Sequence, residues 1–330
     1  MHFGHKHLAA CTNFIIVLLK SFIRHIINNF VADFNQETMN FWSDKITPFS
    51  GNKPLKCGNN ILNLDKPLVM GILNLTPDSF FDGGRYTKTE AWLVQAGKMI
   101  HEGASIIDLG AVSTRPGAAF VSEEDEISRL LPAVELLTAK YPETVFSVDT
   151  YRSKVVRLAC EAGAGLINDI SGGSMDDDLI HAVAGTGLPY VLMHMQGTPS
   201  IMQQNPVYEN ISDEINEFFI KKIADLKTAG IQQLILDPGF GFGKSIDHNY
   251  RMLYQLSAFK KAGYPVMAGI SRKSMIYKLL EINPEESLAA TSALHMASLL
   301  NGADILRVHD VKEAVQVIKL AETFLKAGAE

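Results

Sequence analysis

The chain has 330 residues, 47% of them hydrophobic and 20% charged, enough for one large α/β domain or two smaller ones. A formal net charge of -6 argues against a broad nucleic-acid surface while leaving room for a local cationic pocket. The three cysteines, Cys11, Cys57 and Cys160, lack metal-type spacing and read as reduced thiols of a cytoplasmic protein.

At the N-terminus, Phe14 to Leu19 is apolar, but Lys20, Arg24 and His25 interrupt it before the roughly 20 residues a membrane span needs. No small-residue cleavage site follows. Residues 1–60 are therefore read as an extension with a capping segment, Met39 being the alternative start. Residues 61–330 are read as the main domain.

From residue 68 onward, eight apolar runs of strand length recur: Leu68–Leu73, Ser105–Leu109, Val145–Val148, Leu166–Ile170, Tyr190–Met193, Leu234–Leu236, Val266–Ile270 and Ile305–Val308. None alternates, as expected of strands covered on both faces. Helical patterns lie between them. Ser122 and Asp125 predict a capping box before Ile127, Leu130, Leu131, Val134 and Leu137. Ser212 predicts an N-cap and Gly230 a C-cap for the helix between. Gly103, Gly163, Gly230, Gly263 and Gly302 each stand just ahead of a strand, which predicts one reused helix-to-strand turn. Eight strand-helix units over about 260 residues match an α/β fold of the (β/α)8 TIM-barrel class. The competing doubly wound sheet would want a glycine-rich fingerprint after the first strand, and none is there.

In such a barrel the C-terminal strand ends share one face. They read Asn74, Asp108, Asp149, Asn168 with Asp169, His194, Asp237, Lys273 just past the seventh strand, and Arg307 with His309 on the eighth. Asn74, Arg115, Lys273, Arg307 and His309 are suited to an anion, and the helix starting near Asp310 adds its N-terminal partial charge. Asp149, Asn168 and Asp237 offer acceptors and an amide to a flat heterocycle. The site thus predicts a ligand with a polar ring at one end and a phosphate at the other. Two loops frame it: Ser113 to Ala119, a candidate lid, and Asp237 to Lys244, whose glycines allow close backbone approach beside Phe240 and Phe242. His194 reads equally as a base or as a satisfied strand-end histidine. No His/Cys metal spacing exists, so any metal would be Mg2+ held by Asn74 and phosphate oxygens.

At these residues the chain resembles the dihydropteroate synthase family of pterin-binding barrels. The blocks are GILNLTPDSFFDGG at 71–84, STRPGA at 113–118, SVDT at 147–150, INDISG at 167–172, LMHMQGTP at 192–199, LDPGFGFGK at 236–244, SRKS at 271–274 and RVHDV at 307–311. The resemblance implies the condensation of 6-hydroxymethyl-7,8-dihydropterin diphosphate with 4-aminobenzoate, and inhibition by sulfonamides. It implies that Asn74 meets Mg2+ and diphosphate, that Arg307 and His309 bind the diphosphate, and that Asp149, Asn168, Asp237 and Lys273 read the pterin. Thr114, Arg115 and Pro116 would meet 4-aminobenzoate, with Phe242 as a wall and Ser274 near its carboxylate. Asp149, Asp237, Lys273, Arg307 and His309 are the implied catalytic set, and a cytoplasmic homodimer without nucleic-acid or membrane partners is implied. The rivals are a pterin-binding methyltransferase module, expected to lack the Arg115 loop and the Lys273-Ser274 pair, and a non-catalytic pterin-binding protein, expected to have lost the diphosphate contacts.

Overall fold

A computed structural model of the chain describes residues 53–75, 88–112, 120–198, 202 and 206–328. The expectations for Met39, for the extension up to residue 52 and for Thr114, Arg115 and Pro116 lie outside the described residues. The described chain begins with a two-stranded antiparallel hairpin, β1 (Leu55–Cys57) and β2 (Asn60–Leu62). A division after residue 60 therefore passes through β2.

The eight expected strands all form: β3 (Leu68–Asn74), β4 (Ile106–Gly110), β5 (Val145–Asp149), β6 (Leu166–Asp169), β7 (Tyr190–Met193), β8 (Leu234–Asp237), β9 (Met267–Ala268) and β10 (Ile305–Val308). They pair in parallel in the order β8-β7-β6-β5-β4-β3-β10-β9, and a parallel bridge between Leu236 and Val266 joins the two ends. The sheet is thus closed into a barrel. β9 is shorter than the run Val266–Ile270 suggested: Val266 serves the closing bridge, and the chain turns away after Gly269.

Two apolar layers explain why the strand sequences do not alternate. Leu68 and Met70 of β3 and one residue from each other barrel strand, from Ile106 round to Ile305, pack inside the barrel with Leu55, Cys57 and Leu62 of the hairpin. The intervening residues, such as Val69, Leu73, Ile107 and Phe146, face the helices. The hairpin therefore plugs the end opposite the C-terminal strand ends and leaves that other rim for chemistry.

Helices follow the strands: α1 (Lys88–Glu102), α2 (Glu123–Lys140), α3 (Ser153–Glu161), α4 (Leu179–Thr186), α5 (Ile211–Thr228), α6 (Ile246–Tyr254), α7 (Ser274–Leu280), α8 (Leu288–Leu300) and α9 (Val311–Ala327). The reused turn forms at four of the five expected glycines, while Gly263, at φ 77°, instead follows the 3-10 helix Leu256–Ala262. Gly103, Gly163, Gly230 and Gly302 have φ of 105°, 100°, 101° and 91°. In each, the glycine N–H donates to the carbonyl three residues back and the next N–H to the carbonyl five back of its own position, a Schellman-type stop that needs left-handed backbone.

Two caps differ in detail from expectation. Ser122 caps α2 by accepting from the Asp125 N–H, but the Asp125 carboxylate accepts from the Ser122 hydroxyl at 2.9 Å instead of closing a box on the backbone. For α5 the N-cap is Asn210, whose side chain accepts from the N–H groups of Ser212 and Asp213. The Ser212 hydroxyl is drawn away to Gln255 Oε1 at 2.5 Å.

Candidate active site

Six of the eight barrel strands deliver a polar side chain to the open rim, Asn74, Asp108, Asp149, Asn168, Asp237 and Arg307, because the pleat turns these positions to the same side as the inner apolar layer; β7 and β9 present Met193 and Gly269 there. Two glycines show how those side chains meet. A Cβ placed on Gly110 would lie 3.7 Å from Asn74 Oδ1 and 3.8 Å from Asp149 Cβ. A Cβ placed on Gly269 would lie 3.8 Å from Lys273 Nζ, 3.9 Å from Arg307 Cβ and 3.9 Å from Asp237 Oδ2. Arg307 joins the two groups, since its Nη2 donates to Asp149 Oδ2 at 2.7 Å. Asn74, Asp149, Asp237, Lys273 and Arg307 therefore converge on one rim.

Arg307 is held by more than Asp149. Its Nε donates to Asp108 Oδ2 at 2.7 Å, and the same oxygen accepts from Asn168 Nδ2 at 3.0 Å. Asp108 is fully buried. The sequence placed it at a strand end and gave it no role; here it orients both the arginine and the Asn168 amide. Burial lowers the arginine's pKa, but the attraction of Asp108 and Asp149 outweighs that and raises it. Arg307 is a permanent cation.

The carboxylates pay for desolvation in their protonation. Burial, opposed by Arg307 and reinforced by Asp108, pushes Asp149 up to about 7. Burial also raises Asp237 against the pull of Lys273, while its Oδ1 accepts from the Gly239 N–H at 2.8 Å. Lys273 moves the other way: burial lowers it to about 8 against the attraction of Asp237. Its ammonium donates to Phe240 O and stands 4.7 Å from the Phe242 ring centroid, a cation–π distance. Ser274, the first residue of α7, follows Lys273. The His309 N–H donates to Ser271 Oγ at 3.2 Å, and its Nδ1 lies 3.2 Å from the same oxygen.

Lys244 also entered the sequence reading only as the end of a glycine loop. It is buried, donating to Phe242 O at 2.9 Å and His194 O at 3.3 Å, with His194 Nδ1 at 3.2 Å. It pins the Gly239–Gly243 turn to the end of β7. Burial and the Lys244 charge lower His194 to about 3, and its ring Nδ1 is taken up by Lys244 at 3.2 Å, a contact that favours the satisfied reading.

Among the described residues no group of three His, Cys, Asp or Glu side chains could hold a metal. Asn74 is exposed at the end of β3 and offers one neutral oxygen. That donor fits a Mg2+ ion whose remaining ligands are phosphate oxygens and water.

The family model described as pterin binding enzyme matches residues 70–309. The chain is 47% identical over 268 residues to the dihydropteroate synthase of Escherichia coli (strain K12), covering 81% of this chain and 94% of that one. It is similar to the solved Yersinia pestis dihydropteroate synthase in a sulfonamide drug complex, at 43% identity and a TM-score of 0.79, covering 83% of this chain and 100% of that one. The Xanthomonas albilineans dihydropteroate synthase solved with 4-aminobenzoic acid is 40% identical with a TM-score of 0.78, over 83% of this chain and 98% of that one. The chain belongs to the pterin-binding enzyme family, and within it to the dihydropteroate synthases.

Proposed function

We propose that the chain joins 4-aminobenzoate to 6-hydroxymethyl-7,8-dihydropterin diphosphate, giving 7,8-dihydropteroate and diphosphate. The observation that carries this reading is the single rim on which a half-buried cation, Arg307, contacts the carboxylate of Asp149 while Lys273 and Asp237 stand beside it. A ligand with a ring at one side and an anion at the other fits such a rim.

In this reaction the bond between the pterin methylene carbon and the diphosphate oxygen breaks, and its electron pair leaves with the diphosphate. Arg307 and His309 neutralise the charge that builds there. Asn74 would hold a Mg2+ ion, which would supply further charge neutralisation to the diphosphate. Asp149 and Asp237 face the cationic carbon left behind, conjugated with the ring, and with Asn168 and Lys273 they fix the ring's edge. The amine of 4-aminobenzoate, held by Thr114, Arg115, Pro116, Phe242 and Ser274, attacks that carbon and sheds a proton, which the released diphosphate or solvent takes up. Lys273 needs no covalent step, because the substrate offers no aldehyde or ketone.

Among the described residues no helix is long and apolar enough to cross a membrane. A cytoplasmic homodimer is part of the proposal. Exposed apolar side chains on α5, α6 and α7, namely Ile220, Tyr254, Leu279 and Leu280, support an interface between two copies, which light scattering on the purified chain tests.

The catalytic reading is tested by mass-spectrometric detection of dihydropteroate from the two substrates, with a sulfonamide as competitor of 4-aminobenzoate. Pterin binding without product would favour the non-catalytic relative, and methyl transfer from methyltetrahydrofolate to a corrinoid partner would favour the methyltransferase module.

A further inference from the structure

Among the described residues two non-glycines have positive φ, Arg272 at 53° and Glu281 at 54°. Glu281 is the C-cap of α7, where left-handed backbone is common. Arg272 instead stands inside the candidate site, as the third residue of a turn in which the Lys273 N–H donates to Ile270 O at 3.2 Å. Positive φ at that place suits glycine or asparagine, and a long side chain there holds strain that the surroundings must enforce.

The surroundings do so through the guanidinium. Its Nε and Nη2 form a bidentate pair with Asp310 Oδ2 and Oδ1 at 2.8 and 2.7 Å. Its Nη1 donates to Glu285 O at 3.1 Å and Pro284 O at 3.3 Å. The backbone N–H of Arg272 donates to Thr291 Oγ1 at 3.3 Å. Asp310 is the N-cap residue of α9, yet its side chain makes no cap bond, so its carboxylate serves the arginine and not the helix.

The clamp joins two turns that carry site residues. Arg272 lies between Ser271, whose Oγ accepts from the His309 N–H, and Lys273, whose ammonium donates to Phe240 O. Asp310 directly follows His309. One bidentate pair thus ties the turn after β9 to the turn after β10, with Lys273 at one end and His309 at the other.

We propose that Arg272 is a positioning residue whose clamp on Asp310 sets the spacing between Lys273 and His309, and thereby how well one ligand is gripped at its ring and its diphosphate together. The proposal rests on the functional reading above.

The test is a double-mutant cycle on the full chain: wild type, Arg272→Gly, Asp310→Ala and the double variant, with KM for the dihydropterin diphosphate, kcat and Tm measured for each. Glycine releases the strain in the turn, so Arg272→Gly removes the clamp without burdening the backbone. If Asp310→Ala loses its cooperative unfolding transition, Asp310→Asn replaces it. Each single variant is expected to raise that KM about tenfold with kcat within about twofold, and the double variant to be no worse than the weaker single. Bare pterin, lacking the diphosphate, is expected to bind with a smaller change. Singles that lower Tm and leave KM untouched overturn the proposal, as does a double variant whose KM rises by the product of the single effects. A wild type without 4-aminobenzoate-dependent turnover overturns the functional reading instead, and the wild-type arm of the same assay separates that failure from the first.

Discussion

Arg307 Nη2 donates to Asp149 Oδ2 at 2.7 Å, so the strand end suited to an anion and a strand end suited to a ring are in direct contact. The guanidinium holds Asp108 at the same time. Truncation of Arg307 therefore has two separable consequences.

Arg307→Ala leaves the buried Asp108 carboxylate and the half-buried Asp149 carboxylate without their cation, which costs about 3–5 kcal/mol of stability. It also removes a diphosphate ligand, so calorimetric titration should show a larger loss of affinity for the dihydropterin diphosphate than for the bare pterin. Equal losses for the two ligands would contradict the assignment.

The pH dependence of kcat/KM should be bell-shaped. Asp149 must be ionised to accept ring N–H donors and titrates at about 7; Lys273 must be protonated to donate and titrates at about 8. Activity should rise through the first value and fall through the second. Asp149→Asn should remove the acidic limb; an acidic limb that persists in this variant would exclude Asp149 as its source.

Asp149 and Lys244 predict opposite slopes of stability. Asp149 keeps its proton in the folded chain up to about 7, against 3.8 ordinarily, so the folded state binds more protons between those values and stability falls as pH rises through them. Lys244 is lowered by burial to about 7 from 10.5. There the unfolded state binds more protons, so stability rises with pH across that window. Lys244→Met should flatten the alkaline rise in chemical denaturation curves recorded across it, while Asp149→Asn should leave that rise in place.

Gly239 has φ 73°, and a Cβ there would lie 2.0 Å from His194 O; Gly187 has φ 67° with nothing within 4 Å. Gly187→Ala should cost about 1 kcal/mol from backbone strain alone. Gly239→Ala adds a clash with backbone and should cost at least about 3 kcal/mol, with loss of the turn that carries Phe240 and Phe242. Comparable thermal shifts in the two variants would show that the turn gives way more easily than its packing indicates.

The barrel was legible because each strand is apolar on both faces and most carry a polar residue at or just past their C-terminal end, a pattern local to five or six positions. The reused turn was legible for the same reason, through the glycines ahead of the strands. Partnerships across the barrel were not. Asp108 and Arg307 are 199 positions apart, and nothing near Asp108 in sequence distinguishes a buried counter-ion from a strand-end cap. Lys244 looked like an ordinary loop lysine, since its burial depends on His194, 50 positions away. The start of α5 was misplaced by two residues because Asn210 and Ser212 are both capable caps, and Gln255, 43 positions beyond Ser212, decides between them. The left-handed turn at Arg272 was invisible because arginine does not advertise positive φ; only the distant carboxylate of Asp310 explains it.

The measurement that bears most directly on the account is diphosphate release by the purified chain from 6-hydroxymethyl-7,8-dihydropterin diphosphate, followed with and without 4-aminobenzoate. The account predicts sustained release only when 4-aminobenzoate is present, abolished or strongly reduced in Arg307→Ala. Release at the same rate without the amine, or none with it, would contradict the claim that this rim joins the two substrates.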